Sequence, residues 1–564
     1  MSEKFTQSGQ HSVNRRSVLR ISAAALVALA LPSAFLTACS SASSSESVSA
    51  DSTPHSGGTL SYVSGTNPDS WDPHATSTNV TGLLLRPIFD SLVSQNEDGS
   101  FSPWLATSWS TSPDQLTYTF ELRDDVTFSD GTRFDAAAVK ANFDHIVAPE
   151  TLSKRASSLL GPYVSTDVLS DFTVAVKLSR PYSSFLNSAS TTFLGFHSPK
   201  SLLEHGGDLA AGGSSTVSTG PFVFTSNIQG QKAVFDKRPD YAWAPQNRNH
   251  SGAAYLDHIE ITILNESSSR AGAIGSGQVD IADQIPADKV DTLSKQDSIK
   301  VAQNETPGAP YSFYLNTERA PFDNVDARRA VQYAIDPGAI TEGVFRGNYD
   351  RAWSPLTPAT LTYDTSLAGT WKPNQDKANE LLDQLGYTTR DSAGYRTKDG
   401  ERLSVEMPYV QTFVSADNLT INSAVQDQLK QVGIELVLLP MDSASSIGRT
   451  REGNYDVFSF ASGNADPAVL RNLYYSGNQF VDGGANAGRV HDESIDKWLD
   501  EAQATQDRAR IEELYHQVQQ RVINQAYAIP IYVSTVTTAA QSHVEDLEFD
   551  VQVWPNFYDI WLNE

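Results

Sequence analysis

Residues 403–439 carry the pattern that most restricts how this chain can fold. Leu403, Val405 and Met407 alternate as in a strand, and Ile421, Val425, Leu429 and Val432 then recur at helical spacing. Gly433 supplies a C-terminal cap, and residues 434–439 form a second apolar run. Strand, amphipathic helix and strand within 37 residues make a βαβ unit, whose strands run parallel because the helix returns the chain across the sheet. The same switching of period recurs along the chain. Residues 117–122 alternate, Val126 and Phe128 continue the alternation, and Ser129-Asp130-Gly131 is a turn signal. Asp135 stands where it would N-cap a helix over 136–146. Ile259, Ile261 and Ile263 mark a strand, a helix is predicted from about Ser268, and Val279-Asp280-Ile281 marks another strand. Near the C-terminus, Ile495, Trp498, Leu499 and Ala502 have helical spacing, as do Ile511, Leu514, Tyr515, Val518 and Val522. No internal repeat accompanies them. The fold class is α/β.

Hydrophobic residues make up 39% of the chain, enough for a large core, and 564 residues are enough for more than one domain. Lys and Arg total 41 against 67 Asp and Glu, a net charge of −26 that argues against nucleic acid as a partner. Such an acidic surface chiefly favours solubility.

The N-terminus reads as an export signal. Asn14-Arg15-Arg16-Ser17-Val18-Leu19-Arg20 is cationic, and residues 21–36 form an apolar run of 16 broken by Pro32. A membrane-spanning helix needs about 20 such residues. Arg15-Arg16-Ser17-Val18-Leu19 is similar to a twin-arginine signal, with Val18 where Phe is usual, so the twin-arginine and general secretory routes both stay open. Leu36-Thr37-Ala38-Cys39 resembles a bacterial lipobox, in which the cysteine is lipidated and becomes the first mature residue. Cys39 is the only cysteine, so an internal disulfide is excluded and stability must come from burial. The Ser-rich residues 40–56 read as a flexible tether to a membrane surface.

A series of short motifs follows in order. Gly57-Gly58-Thr59-Leu60, Trp71-Asp72-Pro73-His74, Pro103-Trp104-Leu105-Ala106 with Ser108-Trp109, and Tyr118, Phe120, Leu122-Arg123, Val126 and Phe128 come first. Thr219-Gly220-Pro221-Phe222, Tyr255-Leu256-Asp257 with Ile259, Gly277 with Val279-Asp280, and Leu315-Asn316-Thr317 continue it. Arg328-Arg329-Ala330 with Tyr333-Ala334-Ile335-Asp336, and Ile529-Pro530-Ile531-Tyr532, close it. From about Gly57 onward the chain resembles the extracytoplasmic solute-binding proteins of the oligopeptide, dipeptide and nickel ABC importers. The resemblance implies a two-lobed clamshell of type II with an enlarged N-terminal lobe. It closes on a solute and hands it to an ABC permease and its ATPase, as a monomer that needs no cofactor. The implied layout is signal peptide 1–38, tether 39–56, first lobe 57–305, second lobe 306–530 and a return to the first lobe over 531–564. The crossings are expected within 304–313 and 526–533.

Ligand-facing residues are expected at the end of a strand over 455–460, at Phe460, Ser462, Gly463 and Asn464, opposite residues 64–78. In dipeptide and oligopeptide members this loop carries an Asp that pairs with the peptide ammonium; the matching position here is Gly463, which removes that demand. Phe460 matches an aromatic lining the cleft and reads equally as core. Asp466 before Pro467 reads as the N-cap of a helix over 468–475, and Arg471 on that helix reads as a cleft residue or as a solvated cation. Residues 103–106, 122–129 and 134–136 resemble the nickel-chelate branch, and Arg155 falls near an arginine that holds the chelator carboxylate there. Residues 476–488 lack histidine, the eleven histidines are scattered in sequence, and His491-Asp492-Glu493 reads as a helix start, so no protein metal site is expected. No His-Glu-x-x-His, Gly-x-Ser-x-Gly, phosphate-binding Gly-Lys-Ser/Thr or paired thiols point to an enzyme. The expected function is capture of peptides for import, with a nickel-chelate receptor as the alternative, and a sensor or an enzyme behind both.

Overall fold

The structure, a computed structural model, describes residues 53–480 and 484–563. The export signal, Cys39 and most of the tether lie outside the described residues. Two lobes with separate cores make up the fold. The first is built on a seven-stranded sheet ordered Ile299–Glu305, Thr535–Gln541, Ile281–Ala282, Thr59–Ser64, His258–Ile263, Lys232–Lys237 and Phe222–Ile228. Thr59–Ser64 runs parallel to both its neighbours, and the flanking pairs are antiparallel. One apolar cluster joins Leu60, Ile261 and Phe235 of this sheet to Phe120 and Val176 of a four-stranded antiparallel sheet and to Phe143 of helix Ala136–Val147. The second lobe holds a three-stranded sheet, Val457–Gly463, Gly308–Leu315 and Ala528–Tyr532, and the βαβ unit, with its own cluster around Phe313, Val405, Val425 and Ile529.

The chain passes between the two sheets twice. Strand Ile299–Glu305 belongs to the first sheet and Gly308–Leu315 to the second; Ala528–Tyr532 returns to Thr535–Gln541. The passages at 306–307 and 533–534 lie side by side, with the Thr306 N–H donating to the Ser534 carbonyl at 2.7 Å. The lobes also touch away from the crossings: Ser183 N–H donates to the Gln503 carbonyl (3.0 Å), and Gln506 Nε2 donates to the Tyr118 hydroxyl (3.2 Å).

Local signals explain most elements. Helix Ala136–Val147 starts on Asp135, whose Oδ1 accepts from Ala138 N–H at 2.9 Å. In the βαβ unit Ser404–Val410 runs parallel to Glu435–Met441, and helix Ala416–Val432 ends on Gly433 at φ 91°, a left-handed turn that favours glycine. Asp492 caps helix Glu493–Gln503. Two strands differ from expectation. The strand expected over 279–281 is Ile281–Ala282, because the Asp280 carboxylate turns to accept from Ser61 N–H and Oγ. The strand expected to end at Phe460 runs to Gly463, because Ser462 and Gly463 pair with Ala309 and Gly308.

Asp90 is fully buried in the first lobe, where Trp243 Nε1 donates to it at 2.9 Å and Tyr241 Oη at 3.3 Å. Burial outweighs these bonds and pushes its carboxyl up to about 6. A raised native value means the folded chain holds the proton longer than the unfolded chain does. The stability so contributed is present below about pH 4 and is lost as pH rises through about 6. Asp90→Asn removes this dependence. Relative to wild type, the variant should gain about 3 kcal/mol between pH 4 and pH 7, read from urea unfolding at both values; parallel pH profiles would refute the assignment.

Candidate functional site

Residues 463–467 lie where the two lobes meet, with cavities on several sides. The Asn464 N–H donates to the Pro307 carbonyl at 2.9 Å, and Asn79 Nδ2 of the first lobe donates to the Gly463 carbonyl at 3.3 Å. From the C-terminal return, Gln552 Oε1 accepts from Ala465 N–H at 3.2 Å. Asn464 Oδ1 closes a turn by accepting from Asp466 N–H at 3.0 Å.

Asn464 lines two cavities. The first is narrow, about 30 Å³, and sets Asn464 against Arg86, Arg155, Arg248 and Asp550 of the first lobe. Arg86 and Arg155 differ in what they already hold. Arg86 donates to Ser91 Oγ (2.9 Å) and the Ser190 carbonyl (2.7 Å) and faces Trp104. Asp550 is held by the N–H groups of Gln552 (2.8 Å) and Trp554 (3.0 Å), and burial raises its carboxyl above the usual range. Arg155 stacks on Phe193 at 4.5 Å, its buried Nε has no hydrogen-bond partner, and no carboxylate pairs with it among the described residues. Burial pulls its guanidinium down to about 10. An arginine placed this way supplies planar donors to an anion entering the cleft.

The second cavity, about 270 Å³, is lined by Asn464, Asp466, Arg471, Tyr182 and Asn187 among others. Arg471 is paired with Asp500 at 2.8 Å and stacks on Tyr475 at 3.7 Å, so its charge is already balanced. Asp466 Oδ1 accepts from Ala468 N–H at 2.8 Å, just ahead of helix Val469–Tyr474. Asp466 is therefore not the expected N-cap: the helix begins three residues later, at Val469, with Ala468 as its cap and no side-chain capping bond, and Asp466 closes the turn before it. Burial raises the Asp466 carboxyl, and the same side chain also lines a third cavity of about 520 Å³ with Leu361, Ile511 and Tyr515.

Of the residues singled out from sequence, Arg155 and Asn464 thus share one cavity, and Asn464 and Arg471 another. Gly463 lines a separate space near the crossings with Asn79, Thr306 and Trp554. Phe460 lines none of these cavities; it stacks on Tyr314 at 4.6 Å and packs into the second-lobe core. Ser462 lines none either, being paired with Ala309. Residues 64–78 do not line these cavities. The first lobe faces residues 463–467 instead through Asn79 and through residues around 155, 187 and 550–554. Arg86, Arg248, Asp550 and Gln552 carried no local signal, since only the fold brings the C-terminal return beside the arginines.

The histidines are less scattered than their spacing suggests. His74 Nδ1 lies 3.0 Å from His145 Nδ1, and His197 Nε2 lies 3.2 Å from Asp72 Oδ1, all within the first lobe. Burial pulls His74 down to about 3, leaving a neutral imidazole. The fold closes distances that the linear spacing of these residues hides.

The model of the bacterial extracellular solute-binding proteins, family 5 middle region, matches residues 100–481. The chain belongs to this family. Among curated relatives of this family 5 protein, the probable D,D-dipeptide-binding periplasmic protein DdpA of Escherichia coli (strain K12) is 27% identical over 500 residues, covering 86% of this chain and 90% of its own. The nickel-binding periplasmic protein of the same strain is 26% identical over 465 residues, covering 80% and 85%. Among solved structures, NikA from Brucella suis in complex with Fe(III)-EDTA superposes with a TM-score of 0.77 at 25% identity, over 90% of this chain and 100% of its own.

Proposed function

We propose that this family 5 protein is the solute-binding lipoprotein of an ABC importer. It takes a small carboxylate-bearing solute of the di- or oligopeptide class outside the cytoplasmic membrane and passes it, as a monomer, to the permease and ATPase. The observation that carries the solute class is Arg155, a half-buried guanidinium whose buried Nε has no partner and which pairs with no acid among the described residues, facing Asn464 across the cleft. The volume beside it, about 270 Å³, suits a solute of dipeptide size. The crossings at 306–307 and 533–534 form the hinge, and the solute shifts the population toward the closed form because each lobe supplies part of the contacts. The relatives named for a D,D-dipeptide and for nickel bracket this reading. A metal chelate is the second reading, favoured by the same arginine and by the polycarboxylate EDTA held in the Brucella structure.

The solute that remains bound after mild purification, identified by mass spectrometry, names the ligand. With a dipeptide ligand, amidation of the C-terminal carboxylate should weaken binding by at least tenfold, while N-acetylation costs little, since Gly463 offers no acid to the ammonium. Loss on acetylation exceeding that on amidation would make Asp466 the anchor and refute the assignment. Turnover of the ligand by pure protein would refute the binding role altogether.

The anchor is tested separately. Cys39→Ala removes the only thiol available for lipid, so the variant should leave the membrane fraction for the soluble extracytoplasmic fraction. Retention on membranes after high-salt washing would show another mode of attachment.

A further inference from the structure

Four side chains that the cleft does not use converge inside the first lobe. Asp72, His74 and His197 are buried, at 4%, 0% and 0% exposure, and His145 reaches them from the last turn of helix Ala136–Val147. His74 Nε2 lies 2.8 Å from the Gly195 carbonyl and therefore carries its proton there, leaving a lone pair on Nδ1. That lone pair faces His145 Nδ1 at 3.0 Å, while His197 Nε2 lies 3.2 Å from Asp72 Oδ1. Ligating atoms of Asp72, His74 and His197 all lie within 4.8 Å of one another.

A tetrahedral zinc ion with ligands at about 2.0–2.1 Å separates neighbouring ligand atoms by about 3.3 Å. Two of the observed pairs, His74–His145 and Asp72–His197, already stand near that spacing; His145 lies outside the three whose ligating atoms all fall within 4.8 Å and would turn inward to complete the set. Three imidazole nitrogens and one carboxylate oxygen form a donor set suited to zinc(II). The backbone carbonyl on His74 Nε2 orients the ring as an outer partner orients a metal-bound histidine. We propose that Asp72, His74, His145 and His197 form a structural zinc(II) site within the first lobe, separate from the solute cleft. Being buried, it fills as the lobe folds rather than by exchange with solute. The site also braces the cleft wall. Ser153 Oγ donates to the His74 carbonyl at 2.7 Å, two residues before Arg155, and Gly195 stands two residues beyond the Phe193 ring on which Arg155 stacks.

The test uses the full mature chain, wild type and Arg155→Met, with zinc(II) alone as the probe. Each is dialysed natively against EDTA, then unfolded in urea with EDTA and refolded with or without zinc, and metal is counted by plasma mass spectrometry. The expected result is about one zinc per chain that survives native dialysis and is lost on unfolding, with a higher Tm after refolding in zinc than without it. His145→Ala, at the partly exposed edge of the cluster, should weaken zinc binding at least tenfold while the lobe still folds. His197→Gln should abolish stoichiometric zinc. Arg155→Met impairs the cleft and should keep its zinc, so failure of the solute reading and failure of the zinc site remain distinguishable. Refolded protein with no zinc and the same Tm in both conditions would overturn the proposal. So would zinc that disappears from Arg155→Met, because the metal would then be cargo in the cleft.

Discussion

Asn464→Trp is expected to reduce solute affinity at least a hundredfold while the unliganded protein melts within about 3 °C of wild type. Asn464 lies at the junction of the narrow arginine-lined space and the larger cavity, so an indole there fills volume that both the solute and the closing lobe require. The native side chain contributes one turn-closing bond, from Asp466 N–H at 3.0 Å, whose loss costs about 1 kcal/mol. Asn464 belongs to no core cluster, so little packing is lost. The readout is calorimetric titration with the solute recovered from the wild-type protein, paired with unliganded melting curves. Unchanged affinity in the Trp variant would move the binding site elsewhere in the molecule.

Arg155→Met should separate affinity from stability in opposite directions. Charge-assisted bonds to a carboxylate are each worth about 1.5–3 kcal/mol, so losing a two-pronged contact should weaken a carboxylate-bearing solute by about thirtyfold or more. Melting temperature, in contrast, should hold or rise. The native guanidinium is partly buried with an unpartnered Nε, and burial opposes its charge. Methionine can keep the packing on Phe193 without that penalty. Arg155→Lys keeps the charge without the planar fork and should fall between the two. Equal affinity of Arg155→Met for the free acid and its amide, at wild-type strength for neither, is the expected pattern; wild-type affinity for the acid would remove Arg155 from the site.

Elements with strong local periodicity were legible in the sequence, because their signals are carried by the segment itself. The βαβ unit with its Gly433 cap, the helix begun by Asp135 and the helix begun by Asp492 all follow from residues within one or two turns. The strand ending at Gly463 was not legible to its end. Ala461, Ser462 and Gly463 are small and do not alternate, and what makes them a strand is pairing with residues more than 150 positions earlier, at Gly308 and Ala309. The site divides along the same line. Asn464 and Arg155 stand out by motif position and line one cavity, whereas Asp550 and Gln552 join that cavity only because the C-terminal return joins the first sheet. The histidine cluster is the extreme case: nothing at 74, 145 or 197 announces the others, and the contacts exist only once helix Ala136–Val147 has packed against its lobe.

Gly308 sits at φ 112° directly after the first crossing, and a Cβ there would strike the Ser462 carbonyl oxygen and come within 2.6 Å of the Asn464 nitrogen. The first crossing and the backbone of residues 462–464 are therefore in van der Waals contact. In a lever, a load applied beside the fulcrum moves the far end through a large arc for little local travel. A solute that presses on residues 463–464 would thus act right beside the crossings, and the contact between Ser183 and Gln503, which borders the same cavities, would open or close with it. The absence of any side chain at position 308 is what allows the crossing and residues 462–464 to stand so close.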